Sequence, residues 1–298
     1  MIEGAATFEA ERKRLTGVAY RMLGRWSEAE DAVQDTYLRW QAADQGTIET
    51  PGAWLTTVVV RLCLDRIRRA KAAREVYVGP WLPEPVLTAE GGERRDESVE
   101  SLANDLSLGL ILVLERLGPE ERAAFILREA FDSSYEEIAA ALGKSEVAVR
   151  QLVSRARERV RRERPRFRAK AATHERLLAS FVSAVAANDT SALVRMFKSD
   201  VRLVTDGGGK RPAALRVVET PEDVAKLILH LAGAKGGPTA MQMITMNGVP
   251  SLWFLDGQGT ETVAQLDIDG ERIKAILVVR NPDKLAHLRM HQVTIQQA

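Results

Sequence analysis

The sequence predicts a multidomain chain: two all-α helical modules, the second with a helix-turn-helix, followed by an α+β domain with a curved antiparallel sheet. Three observations carry this. Residues 8–70 and 102–165 show helical periodicity bounded by capping residues, Gly and Pro. After Lys170 the pattern changes to two helices followed by strand-like runs. Charge is segregated: Lys144 to Lys170 holds 11 Lys and Arg against Glu146, Glu158 and Glu163, a net +8. Residues 1–143 carry 17 basic and 25 acidic side chains, net −8, and residues 171–298 carry 14 against 13. An acidic front and a basic middle point to different partners for each.

At 298 residues, two or three domains are expected. No apolar run approaches the roughly 18 residues of a membrane span, and the N-terminus lacks the layout of a secretory signal. Cys63 is the single cysteine, which excludes an internal disulfide and a metal site built on several cysteines. The expectation is a cytoplasmic protein without metal or cofactor.

Phe8 to Leu23 reads as a helix, with Leu15, Ala19 and Leu23 spaced four apart. A second helix is expected at Ser27, because Ser27-x-x-Glu30 has capping-box spacing. Ala29, Ala32, Val33, Thr36, Tyr37 and Trp40 form its buried stripe, which turns Asp31, Gln34, Asp35 and Leu38 outward. An acidic face with a leucine in it suits a docking patch for a basic partner, and equally an ordinary solvated face. Pro51 opens a third helix. Trp54, Leu55, Val58, Val59, Leu62 and Ile67 line one broad side while Val60 and Leu64 point elsewhere, as in a helix packed between others. Its end carries Arg61, Arg66, Arg68, Arg69, Lys71 and Arg74 against Asp65 and Glu75. The helix dipole explains some of these cations; their number favours nucleic-acid contact.

Residues 75–101 read as a linker, rich in Pro, Gly and charge. Within it Trp81-Leu82-Pro83-Glu84-Pro85 is apolar, stiff and extended. An exposed tryptophan in a tether is unfavourable, so this piece is expected to dock on a folded surface; the alternative is a local Trp-Pro contact.

The second helical module spans residues 102–165. Leu102 to Leu117 is strongly apolar, Gly118 stops it, and Pro119 starts a helix carrying Ala123, Ala124, Ile126 and Leu127. Ser134-x-x-Glu137 is a capping box, Gly143 ends that short helix, and Ser145 caps the next. Along the latter, Val149, Leu152, Val153, Ala156 and Val160 share one face, with Val147, Arg150, Gln151, Ser154 and Arg155 mainly opposite. Two short helices about a Gly-containing turn form a helix-turn-helix, whose second helix enters the DNA major groove. The +8 suits phosphate binding better than a hairpin buried in an ordinary core.

From residue 170 to 298, an amphipathic helix with Leu177, Phe181, Val182 and Val185 and a short helix over residues 190–197 lead into strand-like runs at Val201–Thr205, Ala214–Val218, Met241–Met246, Ser251–Leu255, Thr262–Ile268 and Ile273–Arg280. A helix from Pro221 to Leu231 interrupts them. The order resembles the SnoaL-like, ketosteroid-isomerase-like cone fold. Such folds often enclose a pocket, so Asp206, His230 and Asp267 are candidates for acid/base work, although their spacing makes no dyad. Met241, Met243, Met246, Trp253 and Phe254 either line a cavity for a small-molecule ligand or form plain core. Asp206-Gly207-Gly208-Gly209-Lys210 lacks the P-loop spacing and reads as a flexible hairpin turn. Asn281-Pro282-Asp283-Lys284-Leu285 supplies a cap, a Pro at the first helical position and an acid in the first turn, which starts a short helix over Ala286–His291.

The two helical modules resemble those of an extracytoplasmic-function sigma factor of the sigma-70 superfamily, in the right order. Asp31-x-x-Gln34-Asp35-x-x-Leu38 resembles that family's surface for core RNA polymerase, and this favours docking for the acidic face. Trp54-Leu55 through Asp65-x-x-Arg68-Arg69 resembles the segment that melts and reads the −10 element of promoter DNA; Arg61 stands where many members carry Asn. The helix over 145–160 resembles the −35 reader, which implies roles for Val147, Arg150, Gln151, Ser154 and Arg155. The segments at 81–85, 206–210 and 281–285 together resemble the SigJ-like subgroup with a SnoaL-like C-terminal extension. The resemblance implies that the extension regulates in place of a separate anti-sigma protein, and that the three segments meet. Expected domains are thus sigma region 2 over 1–74, a linker over 75–101, region 4 over 102–165 and a regulatory domain over 170–298. The chain is expected not to be an enzyme. The rival readings are a cone-domain enzyme acting on a small apolar substrate fused to a DNA-binding module, and a stand-alone helix-turn-helix regulator.

Overall fold

The computed structural model describes residues 2–74, 77–88, 107–163, 171–233, 238 and 240–289. They form two units, the first from residues 2–74 and 111–163, the second from 77–88, 107–110 and 171–289. The second unit thus takes in a piece of the expected linker and the start of the expected second helical module.

In the first unit, α1 (Ile2–Leu23), α2 (Trp26–Ala42) and α3 (Pro51–Arg74) pack on one another. The N-cap of α2 is Arg25, so Ser27 is a first-turn residue rather than the cap. Arg25 pairs with Glu28 at 3.0 Å, an acid placed where the helix dipole favours it. Ala29, Ala32, Val33, Thr36 and Trp40 are buried as the periodicity predicts. Leu55, Val59, Val60, Leu62, Cys63 and Leu64 are all buried on α3, the broad burial of a helix with neighbours on several sides.

The helix α4 (Leu108–Leu114) starts in the second unit and enters the first at Ile111; the first unit then continues with α5 (Pro119–Ala130), α6 (Tyr135–Leu142) and α7 (Glu146–Glu163). α4 is shorter than the expected 102–117 helix: residues 102–106 lie outside the described residues, and turn bonds such as Arg116 N–H to Val113 O take over after Leu114. The capping box of α6 is present, with Glu137 N–H donating to Ser134 Oγ at 3.1 Å and Ser134 N–H to Glu137 Oε2 at 2.7 Å. Gly143 closes α6 at φ +64°, a conformation that costs glycine least. Val149, Leu152, Val153, Ala156 and Val160 are the buried face of α7.

Two arginines tie the helical modules together inside this unit. Arg122, 2% exposed, donates to Met22 O at the end of α1 (2.6 Å) and to Glu115 (2.7 Å). Arg61 of α3 donates to Ala141 O (3.2 Å) and Ala140 O (3.3 Å) at the end of α6. The last carbonyls of a helix lack internal partners and carry its negative end, so a guanidinium suits them.

The second unit contains α8 (Ala171–Ala186), α9 (Thr190–Met196), β1 (Phe197–Asp206), β2 (Val218–Glu219), α10 (Pro221–Gly233), β3 (Ala240–Met246), β4 (Val249–Leu255), β5 (Glu261–Asp269), β6 (Arg272–Val279) and α11 (Pro282–Arg289). The sheet order is β2-β1-β6-β5-β4-β3. Strands β3 to β6 form an antiparallel meander, whereas β1 lies parallel to β6, a pairing that the long connection through α10 and the meander permits. The expected strand at Ala214–Val218 reduces to Val218–Glu219, because Ala214 N–H donates to the Thr205 hydroxyl (2.8 Å) instead of a ladder carbonyl.

Side chains alternate across the sheet. Leu203, Leu252, Ala264, Leu266 and Ile276 join Leu178, Phe181 and Val224 of the helices in one core. Gln265 and Asp267 point to the opposite face, where residues 107–110 lie. Strand β5 is therefore covered on both faces, which accounts for its nearly continuous burial.

Candidate nucleic-acid interface and linker grips

The surface of α7 follows from its five buried residues. Val147 is 67% exposed, and Arg150, Gln151, Ser154 and Arg155 are exposed with it. The cations of this helix are not bare. Arg155 Nε donates to Glu121 Oε1 (3.2 Å) and Arg159 to Glu121 Oε2 (2.8 Å), both from α7 to α5. Arg157 donates to Glu129 (2.8 Å), a bond that raises its pKa, and Lys144 lies 3.1 Å from Glu120. Arg150 pairs with Glu146 at 3.0 Å and stacks 4.2 Å above the Tyr135 ring. Four of the cations counted along residues 144–170, Lys144, Arg155, Arg157 and Arg159, thus pair with carboxylates of α5, which precede that window in sequence.

On α2, Asp31, Gln34 and Leu38 are exposed and Asp35 is half-buried. Arg66 of α3 reaches this face, donating to Asp35 at 2.7 Å and lying 3.9 Å from Asp31. On α3, Trp54 packs against Trp40 with ring centroids 5.5 Å apart. Asp65 and Arg68 pair at 3.2 Å, Arg69 is exposed, and Arg61 is committed to the end of α6.

The three segments singled out in the linker and the C-terminal domain meet. Asp206, fully buried at the end of β1, accepts from the Tyr77 hydroxyl (2.6 Å), from Leu82 N–H (2.7 Å) and from the Lys284 ammonium (2.7 Å). Lys284 also donates to Leu82 O, and its Nζ lies 4.2 Å from the Trp81 ring centroid and 5.1 Å from that of Tyr77. Leu82, Pro83, Glu84 and Pro85 are buried. His287 Nε2 meets Pro85 O at 2.8 Å, and because a carbonyl only accepts, that nitrogen carries the proton. Asn281 donates to Tyr77 Oη (2.9 Å), and its side-chain oxygen caps α11, which opens at Pro282, through Asp283 N–H (3.1 Å). Leu285 is buried beneath. In the 206–210 turn, a Cβ on Gly208 would sit 2.2 Å from Asn281 Nδ2, and one on Gly207 2.2 Å from Arg211 O. Gly209 has φ +71°, and Lys210 pairs with Asp283 at 2.5 Å. The glycines serve close approach, not phosphate binding.

The segment then meets the edge strand β3 through one isolated antiparallel bridge, Leu87 opposite Met246. Thr88 N–H donates to Thr245 O (2.9 Å), Asn247 N–H to Val86 O (2.7 Å), and Val86 N–H to Asn247 Oδ1 (2.9 Å).

A second contact was not legible in the sequence. Leu108 N–H, at the start of α4, donates to Gln265 Oε1 (2.9 Å). The Gln265 amide nitrogen donates in turn to Met246 O (3.1 Å) and Ser251 Oγ (3.0 Å), which fixes its orientation. At Gly109 a Cβ would lie 2.8 Å from the Asp267 carboxyl, so only glycine fits there without movement. The one available signal was a glycine inside the apolar run Leu108–Leu114, a usual mark of close approach.

The acid/base candidates do not converge. Asp206 is engaged by Lys284, His230 is exposed on α10, and Asp267 faces Gly109. Met241 and Met243 are exposed at 39% and 52%, while Met246 and Trp253 are buried and Phe254 packs on the helix-side core. Among the described residues, no group of three or more His, Cys, Asp or Glu is placed to hold a metal ion, and no helix is long and apolar enough to cross a membrane.

Comparison with known proteins decides the family. The sigma-70 region 2 model matches residues 7–73 and the sigma-70 region 4 model residues 107–160. The ECF RNA polymerase sigma factor SigJ of Mycobacterium tuberculosis is 36% identical over 288 residues, covering 93% of this chain and 91% of the relative. The chain belongs to the extracytoplasmic-function sigma factors. A probable ECF sigma factor, SigI of the same organism, is 30% identical with 96% of each chain covered. The crystal structure of M. tuberculosis SigJ superposes with a TM-score of 0.76 at 33% identity, covering 95% of this chain and 98% of that one. This sigma factor directs promoter-specific transcription initiation, and its helical modules precede a sheet-containing domain as in that structure.

Proposed function

We propose that the α2 face of Asp31, Gln34, Asp35 and Leu38 contacts core RNA polymerase, that the exposed Arg68 and Arg69 of α3 meet the −10 element, and that Val147, Arg150, Gln151, Ser154 and Arg155 of α7 meet the −35 element. We further propose that the α+β unit, a SnoaL-like domain, governs the reach between the two DNA modules. The observation that carries this is that both ends of the linker are held on that one unit, residues 77–88 at one grip and residues 107–110 at the other. Held so, the linker ends are separated by no more than about 40 Å, the diameter expected of a domain of this size. Elements centred about 25 base pairs apart lie about 85 Å apart along B-DNA at 3.4 Å per pair. A released linker from residue 74 to 108 spans up to about 110 Å. Arg61 and Arg122, which join the two modules within the first unit, oppose separation in the same sense.

The α+β domain acts here by gripping its own chain, and the separation of Asp206, His230 and Asp267 supports that reading over an enzyme. The test is run-off transcription with purified core polymerase, using the full-length protein and a Lys284→Ala variant. Promoter-specific initiation is expected, with the variant differing from the parent. Equal activity of the two removes the grip from regulation; no initiation from either contradicts the assigned contacts.

A further inference from the structure

Glu121 sits at the third position of α5, where its carboxylate has two tasks. Oε2 accepts from Gly118 N–H at 3.3 Å, an N-terminal capping bond, and also from Arg159 at 2.8 Å; Oε1 accepts from Arg155 at 3.2 Å. Its side chain is only 12% exposed, while those of Arg155 and Arg159 are 56% and 55% exposed. One sheltered carboxylate therefore holds two arginines along one flank of α7 without burying them. The opposite flank has a similar pair in Arg157 and Glu129. Capping alone would not call for two arginines on the same carboxylate.

We propose that Glu121 is a built-in stand-in for DNA phosphate, which lowers the affinity of α7 for duplex DNA in general and so leaves selection to the base-facing residues and to polymerase. This rests on the assignment of α7 to DNA. The physical argument is counterion release. Each phosphate neutralised by a protein cation contributes about 0.9 to the slope of log affinity against log salt, and a cation already paired with carboxylate has first to give up that partner. A module with two such cations engaged internally binds any duplex weakly. It gains affinity where favourable base contacts, or a polymerase-bound second module, hold it in place.

Glu121→Gln separates the two tasks, because glutamine at this position still accepts the capping bond while losing the charge. The experiment is a salt titration of binding between the full-length protein and a 20-base-pair duplex of mixed sequence. Glu222→Gln, which makes the same change in net charge on the exposed face of α10, is the control. The Glu121→Gln protein is expected to bind about tenfold more tightly at 0.1 M salt, with the slope steeper by about 1 to 2, and Glu222→Gln to match the parent. Equal affinity and slope for Glu121→Gln and the parent would overturn the inference alone, as would an equal gain in the Glu222→Gln control. If neither the parent nor Glu121→Gln binds the duplex at any salt, freeing Arg155 and Arg159 yields no phosphate affinity and the inference is overturned, while the assignment of α7 to DNA is decided separately by run-off transcription.

Discussion

The two grips on the linker use different physics. At residues 77–88 the α+β unit presents a buried ion pair, Asp206 with Lys284, framed by Trp81 and Tyr77. At residues 107–110 it presents a neutral amide, Gln265, and a gap that only glycine fills. A buried ion pair repays its desolvation only while every partner is present. The first grip is thus strongly dependent on its geometry, and losing one member leaves a stranded charge. The second loses one hydrogen bond, or meets one steric clash, at modest cost. In the proposed regulation, the first contact yields as a unit and the second yields gradually.

The largest expected effect comes from breaking the first grip. Lys284→Ala leaves Asp206 uncompensated and is expected to destabilise the α+β unit by about 3–5 kcal/mol, read from its denaturant midpoint. A loss below about 1 kcal/mol, the ceiling of an exposed pair, contradicts the account of a buried pair. Next, Gly109→Ala brings a Cβ against Asp267 and is expected to cost about 1–3 kcal/mol. Gly109→Ala with Asp267→Ala is expected to recover part of that cost, and the shortfall from additivity measures the contact. Additive losses would place the strain elsewhere. Trp81→Ala removes the ring over Lys284 and is expected to cost about 1–2 kcal/mol while altering run-off activity; unchanged activity removes the docked tryptophan from regulation.

The smallest effect lies outside both grips. Burial pushes the Cys63 thiol up to about 12, while an unfolded chain ionises it near the usual 8.5. The unfolded state loses its proton first, so this term favours folding below about pH 8.5 and is lost as pH rises toward 12, by about 1.4 kcal/mol per unit. Cys63 in the native protein is accordingly expected to resist thiol reagents at pH 8, and rapid modification without unfolding contradicts its burial.

The contrast also explains what could be read from the chain alone. The helices were legible because capping residues and periodicity are local, as at Ser134, Gly143 and the five buried residues of α7. The first grip was legible because Trp81 is an anomaly in a tether, and the glycine turn and the Asn-Pro cap resemble known companions of it. Gln265 gave no sign: a glutamine in a strand is ordinary, and its partner Leu108 lies 157 residues away. The α2 cap moved from Ser27 to Arg25 because tertiary packing sets helix ends as much as cap chemistry does. The count over residues 144–170 stands, but it could not show that Glu121 and Glu129, from another helix, pair with Arg155, Arg157 and Arg159. The parallel pairing of β1 with β6 depends on a connection that no local pattern encodes.

Release of the linker is the central claim, and backbone hydrogen exchange tests it directly. The amides of Leu82, Val86, Thr88 and Leu108 donate to Asp206, Asn247, Thr245 and Gln265 at 2.7–2.9 Å. They are expected to be protected in the free protein and to exchange at least about tenfold faster, roughly 1.4 kcal/mol of lost protection, once the protein is bound to core polymerase on promoter DNA. Full protection of all four amides in a complex that initiates transcription would contradict the account.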